Sequence, residues 1–466
     1  MPANIFVRAV SRQEYGRFTK SLYFCAPDSS RGISVMTTSS SLRLRLIVMN
    51  FLEFAVWGAY LTSMGRYLGN IGLGANIGWF YSVQGIVSMF MPALVGIVAD
   101  RWVPAQRMLG LCHLLAGLMM IGAAIYGYQA GADAQFGPLF TLYALSVAFF
   151  MPTIALGNSV AFTILKQAGE DTVSAFPPIR VWGTIGFIVT MWVVDLTGFQ
   201  VNQNQFIVSG ALSLLLFLYS FTLPGCPVNK HAEKKSLVDA LGLRAFTLFS
   251  QRRMAIFFIF SLFLGVCLQI TNGFANPFIS SFAAFPEYAD TFGVQHANIL
   301  ISLSQLSETF CILLIPFCMK HFGIKRVMLM AMLAWVLRFG LFGTGNPGSG
   351  VWMLILSMIV YGVAFDFFNI SGALFVDTTT DGTIRSSAQG LFMLMTNGVG
   401  ATIGTLSAQW VINQFTTAQT IGDQTYTVGN WPACWFIFAG YALLISVLFL
   451  LIFKNPTPAA QTAAQA

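Results

Sequence analysis

Charge is scarce in this chain. Lysine and arginine together number 24 and aspartate and glutamate 17 in 466 residues, 9% of the whole, against 56% hydrophobic residues and a mean hydropathy of +0.72. A water-facing surface needs roughly a quarter of its residues charged, so lipid must solvate much of this one. Histidine occurs four times and cysteine seven. Cys112, Cys267, Cys311 and Cys434 sit inside apolar runs, without the paired spacing that a zinc site or a disulfide framework requires. No metal and no cofactor is expected. The apolar runs also lack a Ser-His arrangement or paired histidine ligands, so an intramembrane enzyme is not expected.

What is present is a succession of apolar runs near the ~20 residues that a helix needs to cross a bilayer. They fall at 46–68, 77–99, 108–128, 138–164, 179–196 and 206–223, then at 255–279, 297–318, 325–343, 351–376, 387–413 and 431–453. Only bundled helices satisfy the backbone in lipid over such runs. The pattern predicts an all-α integral membrane protein of twelve transmembrane helices. Residues 1–40 are polar and Ser-rich and lack the apolar core of a secretory signal. They read as a dispensable tail or the product of an upstream start codon, with the first helix starting naturally after Met36, near Arg43 and Arg45.

The net charge of +7 is explained by position. With the N-terminus inside, Arg43, Arg45, Arg101, Arg107, Lys166, Lys230, Lys234, Lys235, Arg244, Arg252, Arg253, Lys320, Lys325, Arg326, Arg385 and Lys454 all lie on cytoplasmic ends or loops. Among connector bases only Arg66 falls outside. Both termini are therefore expected in the cytoplasm, and no nucleic-acid partner is implied.

The connectors divide the chain. A tail at 1–40 precedes a six-helix bundle at 41–224, a basic cytoplasmic linker at 225–253, a second bundle at 254–454 and a tail at 455–466. Two similar bundles that rock around a midplane site provide alternating access. An internal echo supports the repeat. Pro92, Gly96, Asp100, Arg101 and Arg107 follow the second run, and Pro316, Lys320, Gly323, Lys325 and Arg326 follow the eighth. The echo resembles the loop signature of the major facilitator superfamily, in which glycine permits close helix approach and charged residues latch helix ends. Trp102, Val103 and Pro104 depart from it in the first copy.

Ionisable groups inside the runs are few and costly, and each marks a candidate site. They are Glu53, Arg180, Glu308, Arg338 and Asp366. Residues three, four or seven apart share a helix face. Such spacing groups Arg180 with Thr184 and Phe187, Gln269 with Asn272 and Asn276, Gln305 with Glu308, and Asp366 with Asn369. Tyr361, Phe365 and Phe368 make an aromatic stripe beside Asp366. Facing inward, these groups would line one cavity for a neutral polar ring compound, a nucleoside or a sugar. Packing is the competing use for the amides. His113 and His321 read as packing and surface residues.

The segments FPPIRVWGTIGFI (176–188), MAIFFIFSLFLGVCLQITN (254–272) and SMIVYGVAFDFFNIS (357–371) closely resemble the nucleoside:proton symporter family of the major facilitator superfamily, typified by bacterial nucleoside permeases. The likeness runs from about Leu42 to Lys454. It implies that Arg180, Thr184, Phe187, Gln269, Asn272, Gln305, Glu308, Tyr361, Phe365 and Asp366 bind the nucleoside. Glu308 and Asp366 would form the acidic centre, with Asp366 favoured for the driving proton. Glu53 departs from the glutamine expected in the familiar enteric relative, adding a carboxylate. The resemblance further implies uptake of purine and pyrimidine nucleosides with protons across a bacterial inner membrane, with the lipid bilayer as surroundings and no obligate protein partner. The alternatives are a sugar:proton symporter, which would ignore nucleobases, and a non-transporting receptor of the same fold.

Overall fold

The computed structural model describes residues 29–226, 243–380 and 384–453. Of the segments expected above, residues 1–28, the linker stretch 227–242 with Lys230, Lys234 and Lys235, and the tail at 455–466 lie outside the described residues.

The first half contains α1 (Ser29–Gly58), the short α2 (Met64–Asn70), α3 (Ile77–Arg101), α4 (Ala105–Ala130), α5 (Phe136–Gln167), α6 (Thr172–Leu196) and α7 (Asn204–Ser220). After a 3-10 stretch at Leu243–Ser250 come α8 (Arg252–Leu268), α9 (Ile270–Ser281), α10 (Ala297–Thr344) and α11 (Val351–Thr379). Next, α12 (Arg385–Met393) continues through a π-helical stretch at Leu394–Gly400 into α13 (Ala401–Phe415). A hairpin of β1 (Thr416–Ile421) and β2 (Gln424–Gly429) then leads to α14 (Trp431–Ile452).

Nine of these helical stretches are long and apolar enough to cross a membrane. One of them, α10, turns back at Gly323 and supplies two crossings. With α1 and the shorter α7, the described residues carry twelve. The outer surface is apolar: Leu218, Phe310, Leu313, Trp410 and Leu451 are exposed, whereas Glu53, His113, Asn276, Arg338 and Asp366 are buried. That inversion of the water-soluble pattern is what a hydrocarbon solvent selects.

The first helix differs from expectation at both ends. It begins at Ser29, because polarity ends a span without ending a helix: no proline or glycine interrupts the chain between Gly32 and Gly58. The crossing then breaks between Gly58 and Met64, where the chain makes turns. The seventh crossing breaks likewise at Gln269, between α8 and α9.

Glycine sets the closest helix pairs. A Cβ at Gly186 of α6 would lie 2.2 Å from the Phe51 carbonyl oxygen, and one at Gly58 2.4 Å from that of Phe187, so α1 and α6 touch backbone to backbone. In the second half, a Cβ at Gly404 would lie 2.0 Å from the Val266 carbonyl oxygen and one at Gly265 2.4 Å from that of Thr396. The first and fifth crossings thus pair as the seventh and eleventh do, the small-residue packing expected in membranes. Close approach is not the role of the loop glycines. Among the described residues, a Cβ at Gly96 or Gly323 would meet no atom of a neighbouring helix within 4 Å. Gly323 instead has φ 73° and ψ 166°, a conformation essentially reserved for glycine, and this folds α10 back on itself. Beside it, Lys325 Nζ donates to the Leu450 carbonyl at 3.0 Å, holding the end of α14.

Candidate functional site

The ten predicted binding residues come from four crossings, the fifth, seventh, eighth and tenth. On α6, one turn separates Arg180 from Thr184 and another brings in Phe187. Arg180 and Thr184 are partly exposed and Phe187 is buried. The Arg180 guanidinium lies over the Phe54 ring at 3.8 Å, and the Phe187 ring meets Trp57 edge-on at 6.2 Å. Trp57 Nε1 donates to Gln84 Oε1 at 3.3 Å, and Gln84 Nε2 donates to the Tyr143 hydroxyl at 2.9 Å. Phe54, Trp57 and Gln84 are absent from the sequence-derived set. The available signal was the position of Trp57 four residues after Glu53 on one face of α1.

In the second half, Gln269 stands at the break between α8 and α9, where Asn272 Nδ2 donates to its Oε1 at 2.8 Å. Both side chains remain partly exposed, as do Gln305 and Glu308 on α10. On α11, Tyr361 and Phe365 stack at 5.5 Å with an interplanar angle of 19°. Behind Tyr361, Arg338 is 2% exposed. It donates from Nη1 to the Ser357 carbonyl at 2.6 Å and lies 4.6 Å from the Tyr361 ring centroid. Arg338 therefore neither pairs with a carboxylate among the described residues nor reaches a helix end. It supports the aromatic wall.

The electrostatics link the halves. Arg180 is within Coulomb range of Glu308 and, more weakly, Glu53. Glu308 is in turn the charged neighbour of Asp366. Asp366 is 5% exposed, and its Oδ2 is buried without a hydrogen-bond partner among the described residues. Glu308 thus stands between one cation, Arg180, and a second carboxylate, Asp366. The arrangement can bind vicinal hydroxyls, amide edges and a flat ring, and can take up a proton.

Asn276 does not join this group. It is fully buried, donating to Asn298 Oδ1 at 2.8 Å and Gln200 Oε1 at 3.3 Å and accepting from Ser280 Oγ at 2.9 Å. These bonds belong to a seal at the end of α10 opposite its Gly323 turn. There Asp195, on α6, accepts from His296 Nδ1 at 2.5 Å and from the Asn298 backbone N–H at 3.0 Å. A carboxylate of one half thereby caps a helix N-terminus of the other. Gln200 Nε2 donates to the Gln295 carbonyl at 3.0 Å, and the Gly78 N–H donates to Gln409 Oε1 at 2.6 Å. Arg66 donates to the Thr425 carbonyl at 2.7 Å and lies 3.9 Å from the Tyr426 ring centroid, both in the hairpin.

Comparison with known proteins agrees with this architecture. The sequence profile of the family described as "Nucleoside H+ symporter" matches residues 40–458. The xanthosine permease of Escherichia coli (strain K12) is 48% identical over 418 residues, covering 89% of this chain and 96% of the permease. The nucleoside permease NupG of the same organism is 45% identical over the same shares. A crystal structure of the nucleoside transporter NupG superposes with a TM-score of 0.80 at 44% identity, covering 89% of this chain and all of that one. Twelve crossings, broken first and seventh helices and a profile match over nine-tenths of the length make this chain a member of the nucleoside H+ symporter family, proton-coupled carriers with the major facilitator fold.

Proposed function

We propose that this chain imports purine and pyrimidine nucleosides with protons across a bacterial inner membrane, both termini lying in the cytoplasm. The halves at 41–224 and 254–454 would rock about the cavity between them. Arg180, Thr184, Phe187, Gln269, Asn272, Gln305, Glu308, Tyr361, Phe365 and Asp366 are the proposed binding residues. The amides at Gln269, Asn272 and Gln305 offer donors and acceptors to base edges and hydroxyls. Phe187 and the Tyr361–Phe365 stack offer flat faces.

The observation that carries the coupling step is the charge count around Arg180. One guanidinium compensates one carboxylate, and Glu308 is its first neighbour. Asp366 is left with an oxygen that has no hydrogen-bond partner among the described residues, and a proton on it neutralises the proposed cavity. In this reading the proton loads from the outer side with the nucleoside. It leaves to the cytoplasm once the outer end has closed through Asp195, His296 and Arg66. A transporter of this kind binds its substrate between the halves at mid-membrane, where each half contributes part of the site.

The test is uptake of radiolabelled uridine and adenosine into vesicles with and without an inward proton gradient, comparing the parent with Asp366→Asn. Gradient-driven accumulation that the substitution abolishes, with nucleoside exchange retained, supports the assignment. Absence of nucleoside uptake by folded parent protein, with uptake of a sugar, overturns the substrate.

A further inference from the structure

Glu53 lies outside the proposed binding set, yet it is 3% exposed and its hydrogen bonds come from neighbouring helices. Thr153 Oγ1 on α5 lies 2.6 Å from Glu53 Oε1 and also 2.5 Å from the Phe150 carbonyl oxygen. His113 Nε2 on α4 lies 2.8 Å from Glu53 Oε2. The other ring nitrogen, Nδ1, is 2.9 Å from Ser213 Oγ on α7, and that hydroxyl is 2.9 Å from the His113 carbonyl oxygen. His113 is fully buried.

Counting protons decides what this cluster holds. Each hydroxyl has one to give. Ser213 satisfies both its contacts only by donating to the His113 carbonyl and accepting from Nδ1–H. The Nε2 to Oε2 contact then needs a proton of its own, on either atom, and that proton makes the Glu53–His113 pair neutral overall. A second proton also has a seat. Placed on Glu53 Oε1 it is donated to Thr153, whose own proton turns to the Phe150 carbonyl. In this doubly loaded state every short contact has a proton of its own. The two states differ by one proton and the rotation of one hydroxyl.

We propose that Glu53, His113 and Thr153 form a proton-binding site in the first six-helix half, separate from the Glu308–Asp366 centre, which gains and loses its second proton during the transport cycle. The cycling clause rests on the symport reading above. The ionisable neighbours of Glu53 are Arg180 from α6 and Cys112 from α4. Arg180 is shared electrostatically between Glu53 and Glu308. Loading the second proton removes Glu53 as a competitor and leaves Glu308 as the carboxylate partner of Arg180, so the proton state of the cluster is felt in the substrate cavity.

Glu53→Gln is the informative variant. Its carbonyl can accept from Thr153 and its amide can donate to neutral His113, so the fold keeps its bonds while the titratable oxygen is lost. Infrared difference spectra of the purified full-length protein should show a carboxylic-acid C=O band appearing on acidification, absent in Glu53→Gln and shifted in Thr153→Val. In vesicles, Glu53→Gln should carry one proton fewer per nucleoside while nucleoside affinity stays within about twofold. Identical acid-induced spectra for the parent and Glu53→Gln overturn the site. A missing band with an unchanged proton ratio overturns its cycling. If the parent carries no nucleoside, the symport reading fails, and the spectra still decide whether the cluster binds protons. Should Glu53→Gln not fold, the Thr153→Val spectrum makes the same decision.

Discussion

In the proposed site two carboxylates and one guanidinium set the charge, so single substitutions there should separate binding from coupling. Asp366→Asn keeps the shape of the side chain and removes its proton exchange. Accumulation against a gradient should fall to the equilibrium level while counterflow of labelled uridine persists. Arg180 acts through a planar guanidinium that lies on the Phe54 ring. Lysine preserves the charge and loses both the plane and the fork of donors. Arg180→Lys should therefore weaken nucleoside binding about tenfold, a cost of about 1.4 kcal/mol, measured by displacement of bound uridine. Retention of parental affinity would show that the guanidinium contributes only charge.

At the scale of the element, backbone contact and backbone conformation matter more than side-chain chemistry. Gly186 and Gly404 hold equivalent helix pairs, and a side chain at either must push a carbonyl aside. Overpacking of this kind costs about 1–3 kcal/mol or more. Gly186→Leu and Gly404→Leu should each lower the melting temperature in detergent and reduce uptake, with the substrate preference of the remaining activity unchanged. Gly323 is different, since open space surrounds it and only its positive φ is at stake. Gly323→Ala should cost about 1–3 kcal/mol of thermal stability while affinity is unaffected. An alanine variant as stable as the parent would mean that the turn between the eighth and ninth crossings relaxes freely. The breaks in the first and seventh crossings also act at this scale. The second of them leaves Gln269 and Asn272 partly exposed.

For the whole molecule, the hydrogen bonds described between the halves gather at the end opposite the Gly323 turn, where Asp195, Gln200, Gln409 and Arg66 bridge them. The structure is thus closed at that end. A charged hydrogen bond contributes about 1.5–3 kcal/mol, so removing one shifts the balance between open and closed forms by roughly tenfold or more. Asp195→Asn combined with Arg66→Ala should raise the labelling rate of a cysteine placed at Gln305 by a membrane-impermeant thiol reagent added from outside. Equal labelling in parent and variant would show that other contacts hold this end shut.

Some of this was written in the order of residues along the chain. Twelve apolar runs determined twelve crossings, because each run is solvated by lipid on its own and needs no distant partner to be helical. The spacing of three between Gln305 and Glu308, or of four between Arg180 and Thr184, could be read for the same reason: those pairs share a helix face. What a neighbouring helix supplies could not be read this way. Asn276 falls on the same spacing as Gln269 and Asn272, yet its partners are Gln200 and Asn298, and it seals one end. Glu53 and His113 stand 60 residues apart, and Asp195 and His296 101 apart. Nothing in either local sequence distinguishes a paired ion from a packing residue. Periodicity reports which way a side chain points within its own helix, and the tertiary structure alone decides which atoms it meets there.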